Sequence, residues 1–365
     1  MLLYVGISIW MFLMLLLGIR HDSVIVAECW PNKPEGQVER TNNRIVTLLT
    51  FVTFAYLWFL TAFRSSSIGN DTKTYLYYFD IYAQGIDKSR TFEIGYQYLN
   101  YFIAKITTDH HRFIILMATI MYGGIIWYIH KYSKNITISL CLFFCYFFSM
   151  FTSIFRQGIA MIIVLFGYQF LKKNKKICAA IVFLLATTFH TTALVSFLLF
   201  LDAKILKKRW FVIIVTGICG LLAITGVLNN LVGIAFPRYV HYLSSRYVST
   251  GWLAVTYSLI SYALWYILVN KSVDPNNKEE RIISTNFTML LIFAAFGYSV
   301  NLFTRAGEYF LLIGVTEIPN MLYKQDTARN RRWLFCICTA LIIMFILTLI
   351  FRPGWNHLYP YEFWN

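Results

Sequence analysis

The sequence predicts an all-α, polytopic integral membrane protein, and three observations carry that prediction. First, 58% of the residues are hydrophobic and only 13% are charged, against about 25% charged in an ordinary soluble domain. A water-soluble chain this apolar would expose large adhesive patches. Second, the apolar runs continue for roughly 20 residues, the length of a transmembrane helix. They do not alternate with the period of two that a β-barrel strand requires. Third, the basic residues behind the net charge of +15 sit in short loops between those runs. That placement points to membrane topology and anionic lipid rather than nucleic acid.

In chain order the predicted spans are 2–19, 45–63, 113–130, 136–153, 157–171, 177–201, 210–227, 252–270, 283–301, 307–323 and 333–351. The stretch Met1–Gly18 is apolar with no basic residue before it, which reads as a first span rather than a cleaved signal peptide. Segment 157–171 is about 22 Å long as a helix, short of a hydrocarbon core of about 30 Å. Segment 177–201 decides the topology. Lys172, Lys173, Lys175 and Lys176 precede it, and Lys204, Lys207, Lys208 and Arg209 follow it. A single crossing would place one basic cluster outside, against the positive-inside rule. Splitting the run at His190 gives two half-length helices with His190 at the tip of a hairpin, and about 11–12 transmembrane segments in all.

With that orientation the inner loops hold 21 of the 32 Lys and Arg residues, leaving 11 outside. Residues 1–365 read as a single transmembrane domain. The large outer loop is 64–112, with short embedded helices, of which 94–106 is apolar but too short to span. A second outer loop covers 228–251. Six of the seven cysteines lie within predicted spans and read as small hydrophobes rather than a disulfide or zinc framework.

The outer side collects cationic, acidic and aromatic residues suited to binding and proton transfer. Arg64, Arg156 and Arg305 stand at outer helix ends, and the guanidinium fork binds phosphate oxygens in a bidentate way. Interfacial snorkelling is the plain alternative. Asp71 and Glu93 are outer acids able to take a proton from an attacking hydroxyl, or to serve as counter-ions for arginine. His190, between two Thr pairs, suits proton transfer or phosphate binding, or a simple interhelical hydrogen bond. Outer tyrosines, Tyr75 to Tyr82 with Tyr239, Tyr242 and Tyr247, have faces on which sugar rings stack. His110-His111 lacks a second pair at ligand spacing, so no metal is expected. No Gly-rich nucleotide loop is present, and no cofactor is expected.

At these residues the chain resembles the EpsG-like branch of the Wzy polysaccharide polymerases. The matching elements are Phe63-Arg64, Gly69-Asn70-Asp71 with Tyr75, and Phe92-Glu93-Ile94-Gly95 with Leu99-Asn100. They continue with Phe155-Arg156-Gln157 and Ala160, Phe189-His190-Thr191-Thr192-Ala193-Leu194, and Arg305 with Tyr309. They occur in the family's order and cover most of the chain. Asn70 stands where Gly-Thr-Asp is common, and Thr192 where Ser is common. The resemblance implies a GT-C-like glycosyltransferase of the bacterial cytoplasmic (inner) membrane, with its active site facing the periplasm. It would polymerise undecaprenyl-pyrophosphate-linked oligosaccharide repeats into O-antigen or capsular or exopolysaccharide. Asp71, Glu93 and His190 become the catalytic candidates. Arg64, Arg156, Gln157, Arg305, Tyr75, Tyr242 and Tyr309 become the substrate-binding ones. The partners implied are two lipid-linked oligosaccharides, the bilayer and a chain-length regulator, with no nucleic acid. An O-antigen ligase and a lipid-linked oligosaccharide flippase are the alternative readings. A flippase should show charges spread through its spans and repeat symmetry.

Overall fold

The structure is a computed structural model of the 365-residue chain. It describes residues 1–28, 44–85, 92–201, 209–225, 251–268, 276–297, 300–324 and 328–352, and most of the closing segment to Trp364. Two compact units emerge. One comprises Met1–Ile159 with Pro319–Asn365, the other Ala160–Ile318.

Among the described residues every regular element is helical. These are α1 (Leu2–Glu28), α2 (Arg44–Ala62), α3 (Thr72–Gln84), α4 (Ile94–Ala104), α5 (His110–Tyr132), α6 (Ile136–Phe151), α7 (Phe155–Lys172) and α8 (Lys176–Thr187). A 3₁₀ helix (Thr191–Phe200) follows, then α9 (Arg209–Ile224), α10 (Gly251–Leu268), α11 (Lys278–Gly297), α12 (Asn301–Lys324) and α13 (Ala328–Phe351). A helix stands at each predicted span. Among the described residues three stretches are long and apolar enough to cross a membrane: Ile45–Ala62, His110–Tyr132 and Arg329–Phe351. Shorter apolar helices include Leu2–Gly18, Ile136–Phe151 and Trp210–Leu222. Most of 228–251, and the 202–208 stretch holding Lys204, Lys207 and Lys208, lie outside the described residues.

The first unit is a helix bundle built around α6. Nearly every α6 side chain is buried, from Thr137 to Phe151, as expected for a helix that is hydrophobic all round. It packs against α1, α2, α5 and α13. Aromatic rings fill the seams: Phe143 against Phe54 of α2 and Tyr122 of α5, Phe144 against Phe345 of α13. Asp109 caps α5 by accepting from the Arg112 N–H at 2.7 Å, and Asn135 caps α6 through the Ile138 N–H at 2.9 Å.

The two ends of this bundle are chemically distinct. At one end Lys134 N–H donates to Asn320 Oδ1, and Asn320 Nδ2 donates to the Tyr132 carbonyl. At the other, the C-terminal residues fold back over the end of α2. Ser65 N–H donates to the Glu362 carbonyl (2.8 Å), Trp364 N–H to the Phe63 carbonyl (2.9 Å), and Tyr361 Oη to the Leu60 carbonyl. Tyr4 of α1 donates to the Leu358 carbonyl. The start of α1, the end of α2, the start of α5 and the chain after α13 therefore share one end.

In the second unit the predicted break at His190 is present. α8 ends at Thr187, and the chain returns as a 3₁₀ helix that packs back on it. Phe183 meets Phe197 and Phe200 at ring separations of 5.7 and 5.8 Å, on opposite sides of His190 in sequence. That pairing is a hairpin folded about His190. α11 packs against α9, α10 and the 3₁₀ arm. Lys172, one residue of the basic cluster before segment 177–201, is held between Glu279 and Glu317, each at 2.8 Å. A buried cation with two carboxylates ties the end of α7 to the start of α11 and to α12.

Candidate functional site

The site in the first unit is a corner made where α6 stops and α7 begins. Phe151 ends α6, and Phe155 opens α7. The loop Ser65–Asp71 crosses this break. Gly69 makes the crossing possible: its φ is +87°, and a Cβ there would run into the Thr152 carbonyl oxygen. Asn70 N–H donates to Ser153 Oγ at 3.1 Å. Asp71, the next residue, precedes α3, and its side chain accepts no capping hydrogen bond.

Arg64 locks the corner. It is fully buried, and its guanidinium donates to the carbonyls of Thr61, Ile68 and Thr152 and to Thr72 Oγ1. It also lies over the Phe155 ring, 5.2 Å from the centroid. Burial pushes the guanidinium down to about 10, so it remains cationic at neutral pH. The sequence reading placed Arg64 among the substrate-binding residues. The geometry instead spends its donors on backbone, because it sits beneath the loop and the tail.

Arg156 has a different setting. One turn from Asp71 on the same face of α3, Tyr75 stacks on Phe155 (5.1 Å, 23°) and engages the Arg156 guanidinium. Arg156 Nη1 donates to Glu93 Oε2 at 2.6 Å, with side-chain exposures of 19% and 17%. The guanidinium carbon lies over the Phe92 ring, 3.9 Å from the centroid. Its Nε is buried without a hydrogen-bond partner among the described residues. Phe92, Tyr78, Tyr82 and Tyr96 wall this group with ring separations of 4.5–6.3 Å from Phe92. Gln157 is buried beside it in sequence. Thus Asp71, Tyr75, Glu93, Arg156 and Gln157 belong to one corner of one unit.

The second unit holds its own group. His190 precedes the 3₁₀ helix, and Thr192 Oγ1 pairs with the buried Tyr309 hydroxyl at 3.2 Å. Arg305 stands one turn before Tyr309 on α12, on the same face. Tyr242, with Tyr239 and Tyr247, lies outside the described residues.

The tail was not read from the sequence. Trp364 stacks flat on His111 (5.1 Å, 5°), and Glu362 accepts from Ser67 Oγ at 2.9 Å. The aromatic density of Tyr359-Pro360-Tyr361-Glu362-Phe363-Trp364 was the available signal.

Fold and site together define a helical membrane protein with a cationic, aromatic-lined polar corner at one end of a helix bundle. The chain belongs to the EpsG family, whose profile matches residues 47–363. That is a family of Wzy-like polysaccharide polymerase and exopolysaccharide biosynthesis proteins. No curated protein and no solved structure matches the chain.

Proposed function

We propose that the protein is a membrane glycosyltransferase that polymerises undecaprenyl-pyrophosphate-linked repeat units. It would act at the outer face of the cytoplasmic membrane to build O-antigen, capsule or exopolysaccharide. The observation that carries this reading is the Arg156 corner. A half-buried guanidinium opens α7, where the helix dipole already favours an anion. One edge is neutralised by Glu93, and Nε has a donor to spare. A pyrophosphate brings more charge than one carboxylate and suits that vacancy in hydrogen bonding.

The chemistry follows from the same residues. The acceptor hydroxyl loses its proton to Asp71 as its oxygen attacks the anomeric carbon of the donor. The anomeric C–O bond to pyrophosphate breaks, and undecaprenyl pyrophosphate leaves with its charge held by Arg156. Glu93 is the resting counter-ion of Arg156 and orients it. Phe92 and the tyrosines hold the sugar and keep water from the bond. In the second unit, Arg305, Tyr309 and His190 supply a cation, a hydroxyl and an imidazole suited to a second lipid-linked phosphate.

Two measurements test this. A strain lacking the protein should lose the surface-polysaccharide ladder while retaining single-repeat material. Loss of all surface repeats would favour a flippase, and full-length chains left on the lipid carrier would favour a ligase. With purified protein, Arg156→Lys keeps the charge but loses the fork. It should cut turnover about 10- to 150-fold, the equivalent of a charge-assisted hydrogen bond of about 1.5–3 kcal/mol. Wild-type turnover would remove Arg156 from the mechanism.

A further inference from the structure

Helix α4 reverses the usual arrangement of a surface helix. Its buried positions are Tyr96, Gln97, Asn100 and Ile103. Two of these carry amides whose nitrogens bond locally: Gln97 Nε2 donates to the Phe92 carbonyl and Asn100 Nδ2 to the Tyr96 carbonyl, both at 2.7 Å. Its outward positions are apolar. Ile94 is 46% exposed, Tyr98 47% and Phe102 61%, and Ile106 just beyond the helix is 77% exposed. Spaced four residues apart, they line one face, about 12 Å from Ile94 to Phe102. Lys105 ends the stripe, with Nζ folded over the Tyr101 ring at 4.6 Å.

Exposed apolar side chains also occur on α2, at Leu48, Val52 and Phe59. That helix is long enough to span, and bulk lipid suffices for it. α4 is about 16 Å long and cannot span. Its stripe also begins one residue after Glu93, whose carboxylate holds Arg156. An exposed apolar stripe that starts beside the acid holding a guanidinium matches an amphiphile with an anionic head and a long apolar tail.

We propose that the outward face of α4 seats the polyprenyl chain of a lipid-linked pyrophosphate and guides its head to Arg156. This rests on the reading of the Arg156 corner as a pyrophosphate site. Ile94, Tyr98 and Phe102 then set the chain-length requirement of the protein, separately from the residues that do chemistry.

The test uses the purified full-length protein and two sugar-free probes, a long-chain polyprenyl pyrophosphate and a short-chain analogue. Wild-type protein should bind the long-chain probe tighter by at least ~10-fold, since each buried methylene adds to transfer free energy. Phe102→Asp should erase most of that preference and leave short-chain affinity unchanged. Should the variant fail to insert, p-benzoylphenylalanine at position 102 replaces it. The photo-crosslink should form to the long-chain probe and fade with excess unlabelled probe, but not with added phospholipid. Equal affinity for the two probes, an unchanged preference in Phe102→Asp, or crosslinks to bulk phospholipid alone would overturn the proposal. Chain-length preference without glycan elongation would sink the polymerase reading and leave this site standing. Elongation with the preference intact in Phe102→Asp would remove this site alone.

Discussion

At the scale of single residues, the two arginines of the corner divide structure from binding. Arg64 spends its donors on the carbonyls of Thr61, Ile68 and Thr152. Arg64→Met leaves those carbonyls without a donor. Leaving a buried acceptor unsatisfied costs about 1–3 kcal/mol. The thermal midpoint in detergent should therefore fall steeply for Arg64→Met and much less for Arg156→Met. Equal midpoints would contradict the keystone role of Arg64. Glu93 allows a prediction of opposite sign. Glu93→Gln removes the carboxylate that competes for Arg156, so a pyrophosphate probe should bind tighter by roughly tenfold, about 1.4 kcal/mol. Turnover should drop in the same variant, because Arg156 loses its orienting partner. Weaker probe binding would show instead that Glu93 builds the site rather than guards it. The roles of these residues were legible only in part. A sequence shows that Phe63-Arg64 and Phe155-Arg156 share a chemistry, but not that one guanidinium lies under a loop and the other beside an acid.

At the scale of elements, the C-terminal tail and the Ser65–Asp71 loop form one fastening. The tail adds backbone hydrogen bonds at Ser65 and Phe63, a side-chain bond at Ser67, and the Trp364–His111 stack. None of these partners is near in sequence, which is why hydropathy and local pattern do not reveal the fastening. The hairpin was legible because its signal is local: basic residues on both sides of an overlong apolar run. Its second arm is 3₁₀ rather than α, consistent with the β-branched start Thr191-Thr192 and the poor helix propensity such residues carry. Removing residues 359–365 should speed amide exchange over 63–72 and leave α8 unchanged, because the lost hydrogen bonds fasten only the former. Trp364→Ala should give a smaller change in the same direction. Exchange over 63–72 that stays at the wild-type rate would show that Arg64 and Gly69 hold the loop without the tail.

At the scale of the whole molecule, the class was legible because lipid imposes a simple rule. Every backbone polar group must be satisfied within a helix, and the runs show where helices must lie. The positions of the helices followed; the bundle around α6 did not, since α6 is apolar on all faces and carries no directional pattern. The structure adds that Tyr4, Leu60–Ser65 and Leu358–Trp364 meet at one end of the first unit. Lys134 and Asn320 meet at another. Combined with the positive-inside rule, this predicts a specific sidedness. Lys134 and Lys172–Lys176 face the cytoplasm, and both Ser67 and Glu362 face outward. The hairpin then returns Lys204–Arg209 to the cytoplasmic side with His190 at its tip. Single cysteines at Ser67, Lys134, Lys175 and Lys207 in a chain cleared of native cysteines can be probed with a membrane-impermeant maleimide. In intact spheroplasts only position 67 should label; after permeabilisation all four should. Labelling of Lys175→Cys and Lys207→Cys from opposite faces would make 177–201 a single crossing. The same result would undo the alternation of inner and outer loops for every helix that follows it.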